Sequence, residues 1–234
     1  MRIWDIDPGY LNRKSLLGEH FELHGIVSII VNNKKGYSRH PETIRWLNYG
    51  WALHKRHRQL AEEMSLRGYV DKSPVCLQVN EDQWPVIYID EPFQQFEILR
   101  NKYEHKKQGR ILLPKSAQEL WRQHKYSVLA RDVKSYKEIG NQVSKMTSSD
   151  DFSNLAITLS ELLRVSPCEG GIRNSLQHMW GYVSELTSTP QDAFEQWSLK
   201  ELLEEIQNRA MKYHEPYLIS STALGELMAW IENV

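Results

Sequence analysis

Cysteine is nearly missing from this chain of 234 residues: there are two, Cys76 and Cys168, far apart and in no CxxC pair. That spacing excludes a disulfide framework and a zinc ribbon, and it leaves reduced structural thiols as the expectation. Long apolar runs are missing as well. None approaches the roughly 20 residues that a bilayer crossing requires, so no membrane partner is expected. The opening MRIWDIDPGY carries acids where a secretory signal needs a basic start followed by an apolar stretch, which predicts a cytoplasmic protein. Internal repeats and low-complexity tracts are also missing, which excludes solenoids and long disordered linkers.

What is present is ordinary for a globular protein: 41% hydrophobic and 25% charged residues, in a chain long enough for one large domain or two small ones. The net charge of −1 conceals an asymmetry. Residues 1–72 hold 12 Lys and Arg against 8 Asp and Glu, whereas residues 113–234 hold 12 against 16. In the first part the cations cluster: Lys34, Lys35, Arg39 and Arg45, then Lys55, Arg56 and Arg58, with His40, His54 and His57 among them. Such clusters suit phosphate binding, and they equally suit a solvated helix face.

Apolar periodicity predicts a helix from about 10 to 31, after the turn Asp7-Pro8-Gly9, and a second from about 41 to 67. Gly68 suits the left-handed position that ends the second helix. Residues 70–92 hold Pro74, Pro85 and Pro92 around a strand-like WPVIYI, predicting an ordered extended segment. A short helix is expected over 93–107, and a boundary near Pro114. Beyond it the pattern is helical over 116–130, 133–146, 150–165, 170–186, 191–213 and 220–232, with N-caps at Ser116 (paired with Glu119) and Thr189 (paired with Asp192). The fold class expected is mainly α, with two helical domains, 1–112 and 113–234, joined by a Pro-containing extended segment.

The segment Leu17-Gly18-Glu19-His20-Phe21-Glu22-Leu23 and the block Lys34-Lys35-Gly36-Tyr37-Ser38-Arg39-His40-Pro41-Glu42-Thr43 occur in one order with the opening MRIW and the ending Arg67-Gly68-Tyr69. Together they resemble the pyrimidine-dimer DNA glycosylases of the endonuclease V type. The resemblance implies a DNA repair glycosylase with abasic-site lyase activity on damaged double-stranded DNA, without metal or organic cofactor. It also implies that the N-terminal α-amine is the nucleophile, attacking the sugar C1′ and forming a Schiff base. General chemistry favours such a group, because an α-amine titrates near 7.7–8.0 and a lysine near 10.4. Two departures stand out. The phage enzymes expose a threonine amine after losing methionine, whereas here bulky Arg2 should block that removal and leave Met1 as the nucleophilic residue. Phe21 replaces an arginine that contacts phosphate.

Glu22 is the carboxylate expected to stabilise the cationic sugar and the iminium, with Glu19 read as structural. Arg2, Lys35, Arg39, Arg45, Lys55 and Arg56 are the expected nucleic-acid contacts, with Tyr37 and Trp46 among them. His20 and His24 stand at i, i+4, yet H-x-E-x-H is not the zincin H-E-x-x-H. With no Cys or Asp to complete a site, no metal is expected.

Residues from about 116 onward resemble the YbgA-like domain, a helical family of unknown biochemical function. The motifs are Arg122-Gln123-His124-Lys125-Tyr126, Asp132 to Tyr136 with Glu138-Ile139-Gly140, and Arg173-Asn174-Ser175-Leu176-Gln177-His178-Met179-Trp180-Gly181-Tyr182. His124, Lys125, Arg173, Asn174, Gln177 and His178 are candidates for a polar pocket. The bland reading makes His178 and Tyr182 interior anchors of a bundle. Two alternatives to the enzyme remain open: a non-catalytic or RNA-directed nucleic-acid-binding or processing protein, with structured RNA as partner, and an interaction protein recruiting photodamage-repair partners.

Overall fold

The computed structural model describes residues 1–77, 82–186 and 196–231. It is mainly α, and among the described residues no strand forms. No described helix is long and apolar enough to cross a membrane. The chain divides into two compact units, Met1–Gly109 and Arg110–Val234.

In the first unit a 3-10 turn (Pro8–Tyr10) precedes helix α1 (Arg13–Val31), followed by α2 (Pro41–Trp46), α3 (Gly50–Leu66) and α4 (Pro92–Lys102). Asn12 starts α1 by accepting from the Ser15 N–H at 3.0 Å, satisfying a donor that the first helical turn leaves orphaned. The single helix expected over 41–67 is two. Leu47 is extended and Asn48 takes a left-handed φ of 74°, which ends α2 before α3 restarts at Gly50. Gly68 closes α3 at φ 79°, while Tyr69 N–H donates to Met64 O and Gly68 N–H to Ser65 O, the two bonds of a Schellman ending. The Pro-containing segment 70–91 lies within this unit, and its WPVIYI stretch forms no strand. α1 packs on α2 and α3, burying Leu16, Leu23, Ile26, Leu53 and Leu60. Gly109 lies so close to the backbone of Gly9 and Tyr10 that a Cβ would collide with both.

The second unit is a bundle: α5 (Ala117–Leu129), α6 (Val133–Val143), α7 (Ser153–Leu162), α8 (Glu169–Trp180), α9 (Leu199–Lys212), and the short α10 (Pro216–Ile219), α11 (Ala223–Glu226) and α12 (Met228–Ile231). α5 is central, packing against α6, α7, α8 and α11, while α9 lies against α8, α10, α11 and α12. Ser116 caps α5 by accepting from Glu119 N–H, as expected, and Ser198 with Glu201 forms a capping box on α9. The Thr189–Asp192 cap lies outside the described residues. The continuous helix expected over 220–232 is instead α11 and α12, while α10 precedes it.

Candidate active site at the chain start

The first residues are held by side chains and not by a sheet. Arg2 N–H donates to Glu22 Oε2 at 2.5 Å, Ile3 N–H to Glu42 Oε1 at 3.2 Å, and Trp4 N–H to Glu19 Oε1 at 3.1 Å. Asp5 N–H donates to Gln95 Oε1 at 2.8 Å. Four successive backbone donors thus find acceptors from α1, α2 and α4, which meets the demand that buried N–H groups be paired. Ile3, Trp4 and Ile6 are buried and anchor the segment in the apolar core.

This clamp delivers the Met1 amine to a defined place. Its nitrogen lies 3.4 Å from His40 Nε2. His40 is the N-cap of α2, and its Nδ1 accepts from Glu42 N–H at 3.2 Å. With Nδ1 held by that N–H, the Nε2 edge of the ring is turned toward the terminal nitrogen. Glu22 stands one peptide away on α1. The structure therefore brings Met1 and Glu22 together, and it adds His40 and Glu42, which sequence reasoning did not single out. Their signal was the His-Pro-Glu block, where a proline opens a short helix and a carboxylate follows it.

Glu19, read as structural, is fully buried. Arg56 Nε and Nη2 reach its two oxygens at 2.8 and 3.0 Å, and Arg56 Nη1 donates to Ile6 O at 3.0 Å. Burial pushes the Glu19 carboxyl up to about 7, with Arg56 pulling the other way. Burial likewise raises Glu42, opposed by Arg45.

Several expected DNA contacts are corrected by this packing. Arg56 faces inward because the buried Glu19 carboxylate demands a cation. Lys55 is buried too, with Nζ 5.8 Å from the Trp51 ring centroid. The Arg45 side chain is only 5% exposed; it pairs with Asp5 and Glu42, and its Nε donates to Ile87 O. Trp46 is buried, its Nε1–H on Glu42 Oε2. Arg2 pairs with Asp90 at 2.6 Å and lies over Trp4. Lys35 and Arg39 do lie exposed on the turn-rich loop before α2, with Tyr37 71% exposed between them. Phe21, beside Glu22, is 78% exposed.

The expectation that nothing completes a metal site around His20 and His24 also fails. His57 comes across from α3 and Asp71 from the segment after it, and ligand atoms of all four lie within 4.8 Å of one another. Burial, opposed by Asp71, pulls His57 down to about 4, and burial lowers His24.

In the second unit the polar pocket does not assemble as expected. His124 is buried in the core, its Nδ1 2.9 Å from Leu120 O, and burial pulls it down to about 4. Arg173 donates to Trp197 O, and Asn174 is half-buried. Lys125 and His178 do meet, around Tyr126. Lys125 Nζ is 4.7 Å from the Tyr126 and Tyr217 rings, and exposed His178 stacks at 6.5 Å on Tyr126. Tyr182 stacks on Tyr217 at 4.8 Å and is 37% exposed, so neither it nor His178 is an interior anchor. Both cysteines are free and exposed; Cys168 accepts from Gly171 N–H at the start of α8.

No curated protein and no solved structure matches the chain. Family models do: residues 1–76 match Pyrimidine dimer DNA glycosylase, and residues 125–226 match Protein of unknown function (DUF1722). The clamped chain start, with Glu22, His40 and Glu42, lies inside the first match, and the Tyr126 cluster inside the second. The chain thus joins a first segment similar to the pyrimidine dimer DNA glycosylases to a second segment similar to a family of unknown function.

Proposed function

We propose that the first unit excises damaged pyrimidines from double-stranded DNA and cleaves the resulting abasic site, with the Met1 α-amine as nucleophile and Glu22 as the electrostatic partner. The amine lone pair attacks the sugar C1′, the C1′–N bond breaks, and the base departs with the electron pair and a proton. Loss of a proton from nitrogen and opening of the sugar ring give an iminium. Removal of a C2′ proton then expels the 3′ phosphate, and water releases the enzyme amine. The Glu22 carboxylate stabilises the cationic stages and supplies a site for the protons that move. His40 is a positioning residue that orients the terminal nitrogen. No metal or organic cofactor enters this chemistry.

The observation that carries the reading is the clamp. Four side chains hold residues 2–5 by their backbone, with Glu22 on the Arg2 N–H and the terminal nitrogen 3.4 Å from His40 Nε2. The exposed Phe21, Tyr37, Lys35 and Arg39 beside it offer stacking and phosphate contacts to a distorted duplex.

Borohydride trapping on an abasic-site duplex tests the proposal, with the mature N-terminus established by intact mass. The native protein should give a covalent adduct. Adding a few residues before Met1 should abolish the adduct while circular dichroism stays unchanged. Glu22→Gln should cut turnover by roughly 10²–10³-fold with little change in binding, the usual cost of losing one electrostatic stabiliser. Undiminished trapping by the extended protein would overturn the nucleophile. Duplex binding without any adduct would leave a binding protein in place of an enzyme.

A further inference from the structure

The three histidines and Asp71 lie apart from this chemistry and take no part in it. His20 and His24 are one turn apart on α1, so they share a face, and Glu22 between them projects from the other side. The ring centroids of His20, His24 and His57 form a near-regular triangle, with sides of 4.6, 5.1 and 4.9 Å. Asp71 Oδ1 is 3.2 Å from His20 Nε2, and Oδ2 is 3.3 Å from His57 Nε2. Neither contact has hydrogen-bond directionality. The Nε2 atoms of all three histidines are buried with no hydrogen-bond partner. Three such nitrogens in one place are costly, and a native structure requires a reason for them.

A bound cation supplies that reason. Around a tetrahedral zinc with bonds of about 2.0–2.1 Å, neighbouring ligand atoms are about 3.3–3.4 Å apart. The two Asp71 contacts already match that edge. The widest separation in the group, 4.8 Å, needs an inward turn of only about 1–1.5 Å to reach it. Three imidazoles and one carboxylate select a borderline transition metal and disfavour calcium or magnesium, which take oxygen donors.

We propose that His20, His24, His57 and Asp71 bind one divalent transition-metal ion of the zinc class. The ion ties α1 to α3 and to the segment that follows the Gly68 turn, and so braces, from behind, the helix that presents Glu22. With four protein ligands the site is structural in kind. It is independent of the amine chemistry, and either can stand without the other.

The test uses the full chain, stripped with a chelator and then titrated with zinc or with cobalt(II). One equivalent of zinc should bind per chain and raise the melting temperature, and cobalt(II) should give the intense visible absorption of a tetrahedral site. Histidine 15N chemical shifts should move at three Nε2 atoms. Asp71→Asn and His24→Gln should each weaken zinc binding at least about tenfold, and the double variant should bind no stoichiometric metal. Because buried His57 is more exposed to folding failure on substitution, it is read only through its 15N shift in the native protein. Substoichiometric zinc with no tetrahedral cobalt spectrum would overturn the proposal, as would undiminished affinity in the double variant.

Discussion

Each unit of this protein buries an arginine–glutamate pair, and the two pairs are used differently. Arg56 and Glu19 in the first unit are 3% and 0% exposed; Arg131 and Glu226 in the second are each 1% exposed. Both are two-pronged, with Arg131 Nη1 and Nη2 at 2.9 and 3.0 Å from the Glu226 oxygens. The spare bonds differ. Arg131 donates to Ser127 O, Leu163 O and Val165 O, and Glu226 accepts from Trp230 Nε1–H, so this pair satisfies carbonyls where helices end. The spare bonds of the first pair go to Trp4 N–H and Ile6 O, part of a segment that leads to the terminal amine. One pair closes a bundle; the other positions a chain end. A buried ion pair is weak evidence for stability, and its remaining hydrogen bonds say what it is for.

Breaking the pairs gives the largest expected effect. Arg56→Met and Arg131→Met each leave a buried carboxylate without its cation and should each destabilise by about 3–5 kcal/mol, read by urea unfolding. At temperatures where both variants stay helical, only Arg56→Met should lose borohydride trapping. Equal loss in the two would remove the functional distinction between the pairs.

Acid should separate the units next. His124 sits at about 4, below its ordinary 6.5, so its contribution is fully present above pH 6.5 and is lost as pH falls towards 4. That shift amounts to roughly 3 kcal/mol across the window. In the first unit two shifts oppose each other. His57, also at about 4, loses its contribution over the same fall in pH, while Glu19, raised to about 7, loses its contribution as pH rises from 4.5 to 7. In metal-free protein, amide protection factors in α5, corrected for intrinsic exchange, should therefore fall steeply from pH 6.5 to 4, while the profile in α1 stays flatter. Replacing His124 with Gln should flatten the α5 profile. A steeper profile in α1 than in α5 would contradict the assignment.

The smallest effect concerns the exposed loop. Lys35→Ala and Arg39→Ala should each make the slope of log duplex affinity against log salt shallower by about one unit. Lys55→Ala, at a buried position, should leave that slope unchanged and lower stability instead. Flat results at Lys35 and Arg39 would remove the loop from the DNA-facing surface.

Much of the architecture was legible from residue order alone. The helices of the second unit follow apolar spacing and cap chemistry, because a helix and its caps are decided within a few residues. The break at Asn48 was not legible, since its left-handed turn interrupts a pattern that otherwise continues through α3. At the site, Met1 and Glu22 came from the order of motifs. Arg45, Lys55 and Arg56 were misread because a basic cluster has the same composition whether it faces solvent or a buried carboxylate.

The sequence by itself determined a mainly helical chain, the match to a pyrimidine dimer DNA glycosylase over its first third, and a second segment of unknown function. Those depend on local periodicity and on motifs read along the chain. Only the tertiary structure decided which charges are buried, that His40 and Glu42 join the chain start, and that His57 and Asp71 meet His20 and His24. Each of these is a contact between residues more than 30 apart, set by how α1, α2 and α3 pack; spacing along the chain carries no information about it.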